Sequence, residues 1–224
     1  MIKLALLGRD IAHSKSQEIY EGLLGRKIEY TKYDCDSEKE IPSLELIFQK
    51  HQGLSITAPY KTHFSSQVKI VGPVHNLGII NCIREEGGEF RATNTDYLAI
   101  EEIFKQKKLN QFRKIVVLGS GNMAKITAYF CQQNNLDVEF LSRSLGSDMT
   151  NFRRNYPEEP LLVINACSRS FVFNGKLLPG DLFWDYNYSH HSNKENISRF
   201  CAYDDGVEML RLQASKALDF WRIV

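Results

Sequence analysis

The sequence predicts an α/β fold in two lobes: an N-terminal α/β lobe, followed by a doubly wound lobe with a parallel sheet. Three observations carry this expectation. Short apolar strand-like runs alternate with amphipathic helical runs along the whole chain. A polar, basic stretch, Lys105 to Lys114, interrupts the pattern near its middle. Beyond it, Val116-Val117-Leu118 runs into Gly119-Ser120-Gly121 and then into a helical run. A length of 224 residues suffices for two small cores.

In order, residues 3–7 form an apolar strand closed by Gly8. Gln17 to Leu24 has helical spacing and ends at Gly25. Glu29 to Tyr33 alternates as a strand does. Ile41 to Gln52 places Leu44, Ile47 and Phe48 on one helical face, with Gly53 as its expected terminator. Leu54 to Thr57 reads as a strand stopped by Pro59. Ile79 to Arg84 and Glu89 to Ala92 flank Gly87-Gly88, a hairpin signal. Tyr97 to Lys107 is expected to be helical. The second lobe then reads strand 115–118, helix 123–134, and strands 138–141, 161–165 and 182–186. His190 to Asn196 is polar and expected as a loop. Val207 to Trp221 is an amphipathic helix.

The formal net charge of +1 provides no field favouring nucleic acid or an anionic membrane, and no apolar run reaches membrane-spanning length. Met1 to Gly8 is too short an apolar run for a secretory signal. The five cysteines are odd in number and never paired as Cys-x-x-Cys, which argues against a disulfide framework and a zinc site and for a reducing, cytoplasmic compartment. The histidines lack helical metal-ligand spacing, and no metal is expected.

Gly119-x-Gly121-x-x-Ala124 follows a strand and opens a helix. The first glycine suits a tight turn, the second a close approach to a pyrophosphate, and the small third residue close helix–strand packing. This is the turn of a Rossmann-like dinucleotide site. The next strand ends Leu141-Ser142-Arg143-Ser144 with no acid to hold a ribose hydroxyl, and Arg143 between two hydroxyls suits a 2′-phosphate, so NADP(H) is favoured over NAD.

In the first lobe, Lys61 follows a strand and Asp96 lies in the polar turn Asn94-Thr95-Asp96. A lysine–carboxylate pair can move a proton on and off a hydroxyl while a hydride leaves the same carbon. Asp96 equally suits a helix N-cap before Tyr97, and the two roles are compatible. Ser14 and Ser16 at a helix start suit a carboxylate; Ser14 with Gln17 also reads as a capping box.

Together these motifs resemble the shikimate dehydrogenase family, over nearly the full chain. The resemblance implies reduction of 3-dehydroshikimate with NADPH in aromatic amino-acid biosynthesis, with quinate or another hydroxylated ring acid as the alternative substrate and a non-catalytic ligand sensor as the alternative class. It assigns Lys61 and Asp96 as the catalytic pair and Ser14 and Ser16 as a carboxylate clamp. It places Ser55, Thr57, Asn81, Tyr188 and Gln213 against substrate. Gly119, Gly121, Asn122, Ala124, Ser142 and Arg143 fall in the nucleotide motifs, and Asn165, Ala166 and Cys167 near the nicotinamide. Residues 1–105, completed by 206–224, are expected to bind substrate between the lobes, and 106–205 to bind the dinucleotide. The expected partner is a small molecule, and the expected state a monomer or homodimer. Departures from the family pattern are Ser55 for asparagine, Cys82 for threonine, Asn122 for a glycine, and shortening around Gly146–Pro160 and after Gln213.

Overall fold

The computed structural model describes residues 1–150, 152, 159–188 and 191–224. The chain divides into two compact units, Met1–Ala99 with Arg211–Val224, and Ile100–Leu210. Both boundaries fall inside helices, α3 (Thr95–Gln106) and α6 (Val207–Phe220).

The first unit holds β1 (Lys3–Gly8), α1 (Ser16–Leu24), β2 (Glu29–Asp34), α2 (Leu44–Phe48), β3 (Gly53–Ile56), β4 (Lys69–Ile70), β5 (Cys82–Glu86) and β6 (Glu89–Thr93). Its six-stranded sheet runs β2-β1-β3-β5-β6-β4. β2, β1 and β3 are parallel, and the β5–β6 hairpin joins β3 antiparallel. The strand period of two divides the core. Ala5, Leu7, Leu54 and Ile56 face one cluster with Tyr60, Phe64 and Ile80. Leu4, Tyr20 and Cys82 face the other, closed by Ala214, Ala217, Leu218 and Trp221 of the last segment.

Three local expectations are corrected here. The helix expected over Ile41–Gln52 shrinks to Leu44–Phe48, because Pro42 holds Ile41 extended (φ −72°, ψ 122°) and Ser43 starts the helix by accepting a bond from the Leu46 amide at 3.4 Å. Gly53 opens β3 instead of closing a helix, and a Cβ there would fall inside the indole of Trp221, whose N–H donates to the Ile83 carbonyl at 2.9 Å. The Ser14–Gln17 capping box does not form: Lys15 is the N-cap, its side chain does not cap the helix, and the Gln17 amide donates to Glu21 at 3.1 Å.

The second unit holds β7 (Lys114–Leu118), α4 (Asn122–Gln133), β8 (Val138–Leu141), β9 (Leu161–Asn165), β10 (Leu182–Asp185), α5 (His191–Ile197) and β11 (Ala202–Asp204). Its sheet runs β11-β10-β9-β7-β8, and every pair is parallel. The strand order reverses beside β7, so the turn after β7 lies at the switch point where such sheets leave a crevice. α5 replaces the expected polar loop. Its buried residues Asn193 and Ile197 are four apart, so the helix does have an inner stripe, but one member is polar and hides it from a hydrophobicity count. Asn151, 153–158, Ser189 and His190 lie outside the described residues. No described helix is long and apolar enough to cross a membrane.

Gly53→Ala should lower stability by about 1–3 kcal/mol, because the Trp221 ring has to move. Gly22→Ala, on the exposed face of α1 with open space around it, should be neutral or stabilising. Thermal denaturation of the two variants checks both, and equal midpoints would remove the close-approach role of Gly53.

Candidate active site

In the first unit, register brings separated stretches together at one end of the strands β1, β3, β5 and β6. Leu7 pairs with Ile56, Ser55 with Cys82, and Cys82 with Thr93. The Ile56 amide donates to Asn81 at 2.8 Å and the Asn81 amide to Thr93 at 3.1 Å. The residues that follow β3, precede β5 and follow β6 therefore meet. The Ile80 amide donates to the Lys61 carbonyl at 2.8 Å and seats the turn after β3 on the approach to β5. Across this junction the Lys61 ammonium donates to Asp96 Oδ2 at 2.6 Å, and both side chains are buried. Little water screens such a pair, and a lysine–carboxylate pair is chemically able to exchange a proton with a hydroxyl.

Asp96 is not the cap of α3. The helix starts at Thr95, and Asn94 Oδ1 accepts from the Tyr97 amide at 3.0 Å while its Nδ2 donates to the Ile79 carbonyl at 2.9 Å. With capping assigned to Asn94, the Asp96 carboxylate is left to Lys61. Asn81 is buried as well. Its Oδ1 accepts from the Thr95 amide at 2.7 Å, and Thr95 Oγ1 donates to Gln213 Oε1 at 3.3 Å. Asn81 and Gln213 are thus joined through Thr95, which sequence reasoning quoted within its motif but did not select. The Thr57 amide donates to Leu7 at 2.8 Å, and Thr57 itself is half-buried.

Ser14 and Ser16 lie together before α1, with Ser14 Oγ donating to Ser16 Oγ at 3.1 Å. The Ser55 hydroxyl is engaged from α1, 2.9 Å from the Tyr20 phenol. Cys82 belongs to the apolar cluster around Tyr20, where burial pushes its thiol well above the usual range.

In the second unit the two glycines of the turn serve different needs. Gly119 has φ +115°, and a Cβ there would lie 3.0 Å from the Ala166 carbonyl oxygen, so only glycine fits. Gly121 is the extended N-cap of α4, no side chain caps the helix, and the space where a Cβ would point is open. Asn122 is the first residue of α4, and Ala124 is buried. Ser142 caps a 3₁₀ turn, Arg143–Leu145, and shares a hydrogen bond with Ser144 at 2.8 Å. Arg143 is exposed, with no ion pair among the described residues.

Asn165, Ala166 and Cys167 follow β9, and Asn165 Oδ1 accepts from the Cys167 amide at 3.1 Å. Burial pushes the Cys167 thiol up to about 11, which keeps it protonated at neutral pH. Beneath this loop lies a carboxylate that sequence reasoning missed. Asp185, fully buried at the end of β10, accepts from Asn165 at 3.0 Å, Asn187 at 2.9 Å, Asn193 at 3.1 Å and Tyr203 at 3.2 Å. These donors tie the Asn165 loop to the turn after β10. The Arg169 guanidinium, on the loop after β9, lies 4.7 Å from the ring centre of Tyr188 in that turn.

No family model matches the chain. It is 29% identical to a shikimate dehydrogenase (NADP(+)) of Prochlorococcus marinus strain MIT 9301, across 97% of this chain and 91% of that one. A shikimate dehydrogenase (NADP(+)) of Helicobacter pylori strain P12 is 28% identical across 96% and 90%. The solved structure of shikimate 5-dehydrogenase from Thermus thermophilus, in complex with NADP(H) and shikimate, superposes with a TM-score of 0.77 at 19% identity, covering 100% of this chain and 94% of that one. The chain is thus similar to shikimate dehydrogenases along nearly its whole length. Its two-sheet α/β fold is that of the solved shikimate dehydrogenases. Within this shikimate dehydrogenase fold, Tyr20 and Asp185 carry bonds to residues selected from the sequence, yet no spacing signal marks either of them.

Asn94→Ala should destabilise the protein by about 2 kcal/mol, since it removes a helix cap and leaves the Ile79 carbonyl buried without its donor. Urea denaturation measures the change, and an unaltered midpoint would return the cap to Asp96.

Proposed function

We propose that the chain interconverts 3-dehydroshikimate and shikimate with NADP(H), and that Lys61 and Asp96 carry the proton. The observation that carries this reading is the buried 2.6 Å contact between the two side chains. In the oxidising direction Lys61, as the neutral amine, takes the proton of the ring hydroxyl and becomes the ammonium, and in reduction the ammonium returns that proton to the carbonyl oxygen. Asp96 accepts a hydrogen bond from the Lys61 nitrogen and holds it in place beside the hydroxyl. Ser14 and Ser16 receive the ring acid's carboxylate. Asn81, Thr57 and Gln213 meet its hydroxyls, with Thr95 fixing the orientation of two of the three. Ser55 and Tyr188 complete the substrate contacts.

The second unit fits a dinucleotide. An uncapped helix start behind an open glycine suits a pyrophosphate, and the tight Gly119 turn against Ala166 brings the Asn165–Cys167 loop beside it. Gly119, Gly121, Asn122 and Ala124 would hold the pyrophosphate, Ser142 and Arg143 the 2′-phosphate, and Asn165, Ala166 and Cys167 the nicotinamide end. Bound NADP(H) supplies or accepts the hydride. In this reading residues 1–105 with 206–224 serve the substrate, 106–205 serve the cofactor, and the protein works in the cytoplasm as a monomer or homodimer.

Quinate is the second reading. The observation favouring it is Ser55, a short hydroxyl already engaged by Tyr20 and so a weaker partner for shikimate's ring hydroxyls. Initial rates with shikimate and with quinate separate the two. Turnover with neither acid, alongside calorimetric binding of shikimate, would favour a sensor over an enzyme.

Lys61→Ala should lower kcat by roughly 10²–10⁴-fold with shikimate binding largely kept. Steady-state rates read from NADPH absorbance check this, and unchanged turnover removes the proton-transfer role. Arg143→Ala should raise KM for NADP about tenfold or more and leave KM for NAD nearly unchanged. Equal losses for both cofactors would remove the 2′-phosphate contact.

A further inference from the structure

Tyr30 lies on β2 opposite Leu4, and its ring packs beside Tyr20 with centroids 6.0 Å apart. Its phenol oxygen is buried and makes no hydrogen bond among the described residues. Burial raises its proton affinity, while the neighbouring Ser16 and Ser55 hydroxyls act to lower it. Both neighbours are otherwise engaged: Ser55 with Tyr20 at 2.9 Å, and Ser16 as acceptor of the Ser14 hydroxyl at 3.1 Å. A buried O–H without an acceptor costs free energy that a change in its surroundings can recover.

A ligand carboxylate supplies that change. When it accepts the hydrogen bond of the Ser14 hydroxyl, Ser16 Oγ is released from Ser14 and can turn its own proton to the ligand and a lone pair to Tyr30. We propose that Tyr30 is a positioning residue for the substrate carboxylate, donating its phenol proton to Ser16 Oγ while Ser16 donates its own proton to the ligand. The result is a relay, Tyr30 to Ser16 to carboxylate, in which each bond polarises the next and the last one is charge-assisted. The relay rests on the reading of Ser14 and Ser16 as the carboxylate clamp. It also makes Tyr30 different from Tyr20, whose phenol is already bonded to Ser55 before any ligand arrives.

The test uses the full chain carrying Tyr30→Phe, with shikimate and its methyl ester as probes, calorimetry for affinity and the ligand-free thermal midpoint for stability. Tyr30→Phe should weaken shikimate binding about tenfold, leave the uncharged ester within about twofold, and leave the midpoint unchanged or raised. On a Ser16→Ala background the same substitution should cost nothing further. The proposal is overturned by undiminished shikimate binding, by equal losses for acid and ester, or by a fall in the midpoint or loss of folding. Each of the last two outcomes would mean the hydroxyl holds the ligand-free fold. Wild-type protein that binds neither probe would overturn the shikimate reading itself, and the relay with it. Wild-type binding that Tyr30→Phe leaves intact would overturn the relay alone.

Discussion

The contact between Lys61 and Asp96 constrains everything around it. Taking an ammonium and a carboxylate out of water is costly, and their attraction repays that cost only when the geometry is held tightly. Lys61 is held through its backbone, whose carbonyl accepts from Ile80. Asp96 is held because α3 begins at Thr95, in the first turn, where the helix dipole favours an acidic side chain. The two anchors lie on different stretches, and the antiparallel register of β3, β5 and β6 brings them together. A slip of one residue in that register would turn Ser55 and Cys82 to the opposite face and separate the ammonium from the carboxylate.

How legible each part was in the sequence depends on how local its cause is. The Gly119 turn was readable because its requirements, a strand before, a helix after and no Cβ, all lie within a few residues. Lys61 and Asp96 were readable as reactive types, but their meeting depends on long-range pairing. The cap of α3 stayed open in the sequence because Asn94 and Asp96 both make good caps, and only the helix start separates them. Gly53 looked like a helix terminator because its actual neighbour, Trp221, lies far along the chain.

Asp185 shows the opposite limit. Its partners, at 165, 187, 193 and 203, share no spacing, and three of the four are asparagines of the kind that mark loops. Asn193 also disguised α5, because a polar residue took an inward position that hydrophobic periodicity reserves for an apolar one. Cys82 is the converse. By resemblance it was a lost hydrogen-bonding group, but in the fold it is core packing around Tyr20.

The first unit is assembled from two distant pieces of chain, and one face of its sheet is covered in part by residues 211–224. On a ribosome, Leu4, Tyr20 and Cys82 would therefore wait without part of their apolar cover while the intervening unit, contiguous in sequence, emerged and folded. Gly53 adds to the delay, because the notch it leaves in β3 fills only when Trp221 arrives. The order of synthesis thus runs against the order of completion: the segment made first acquires its finished core last.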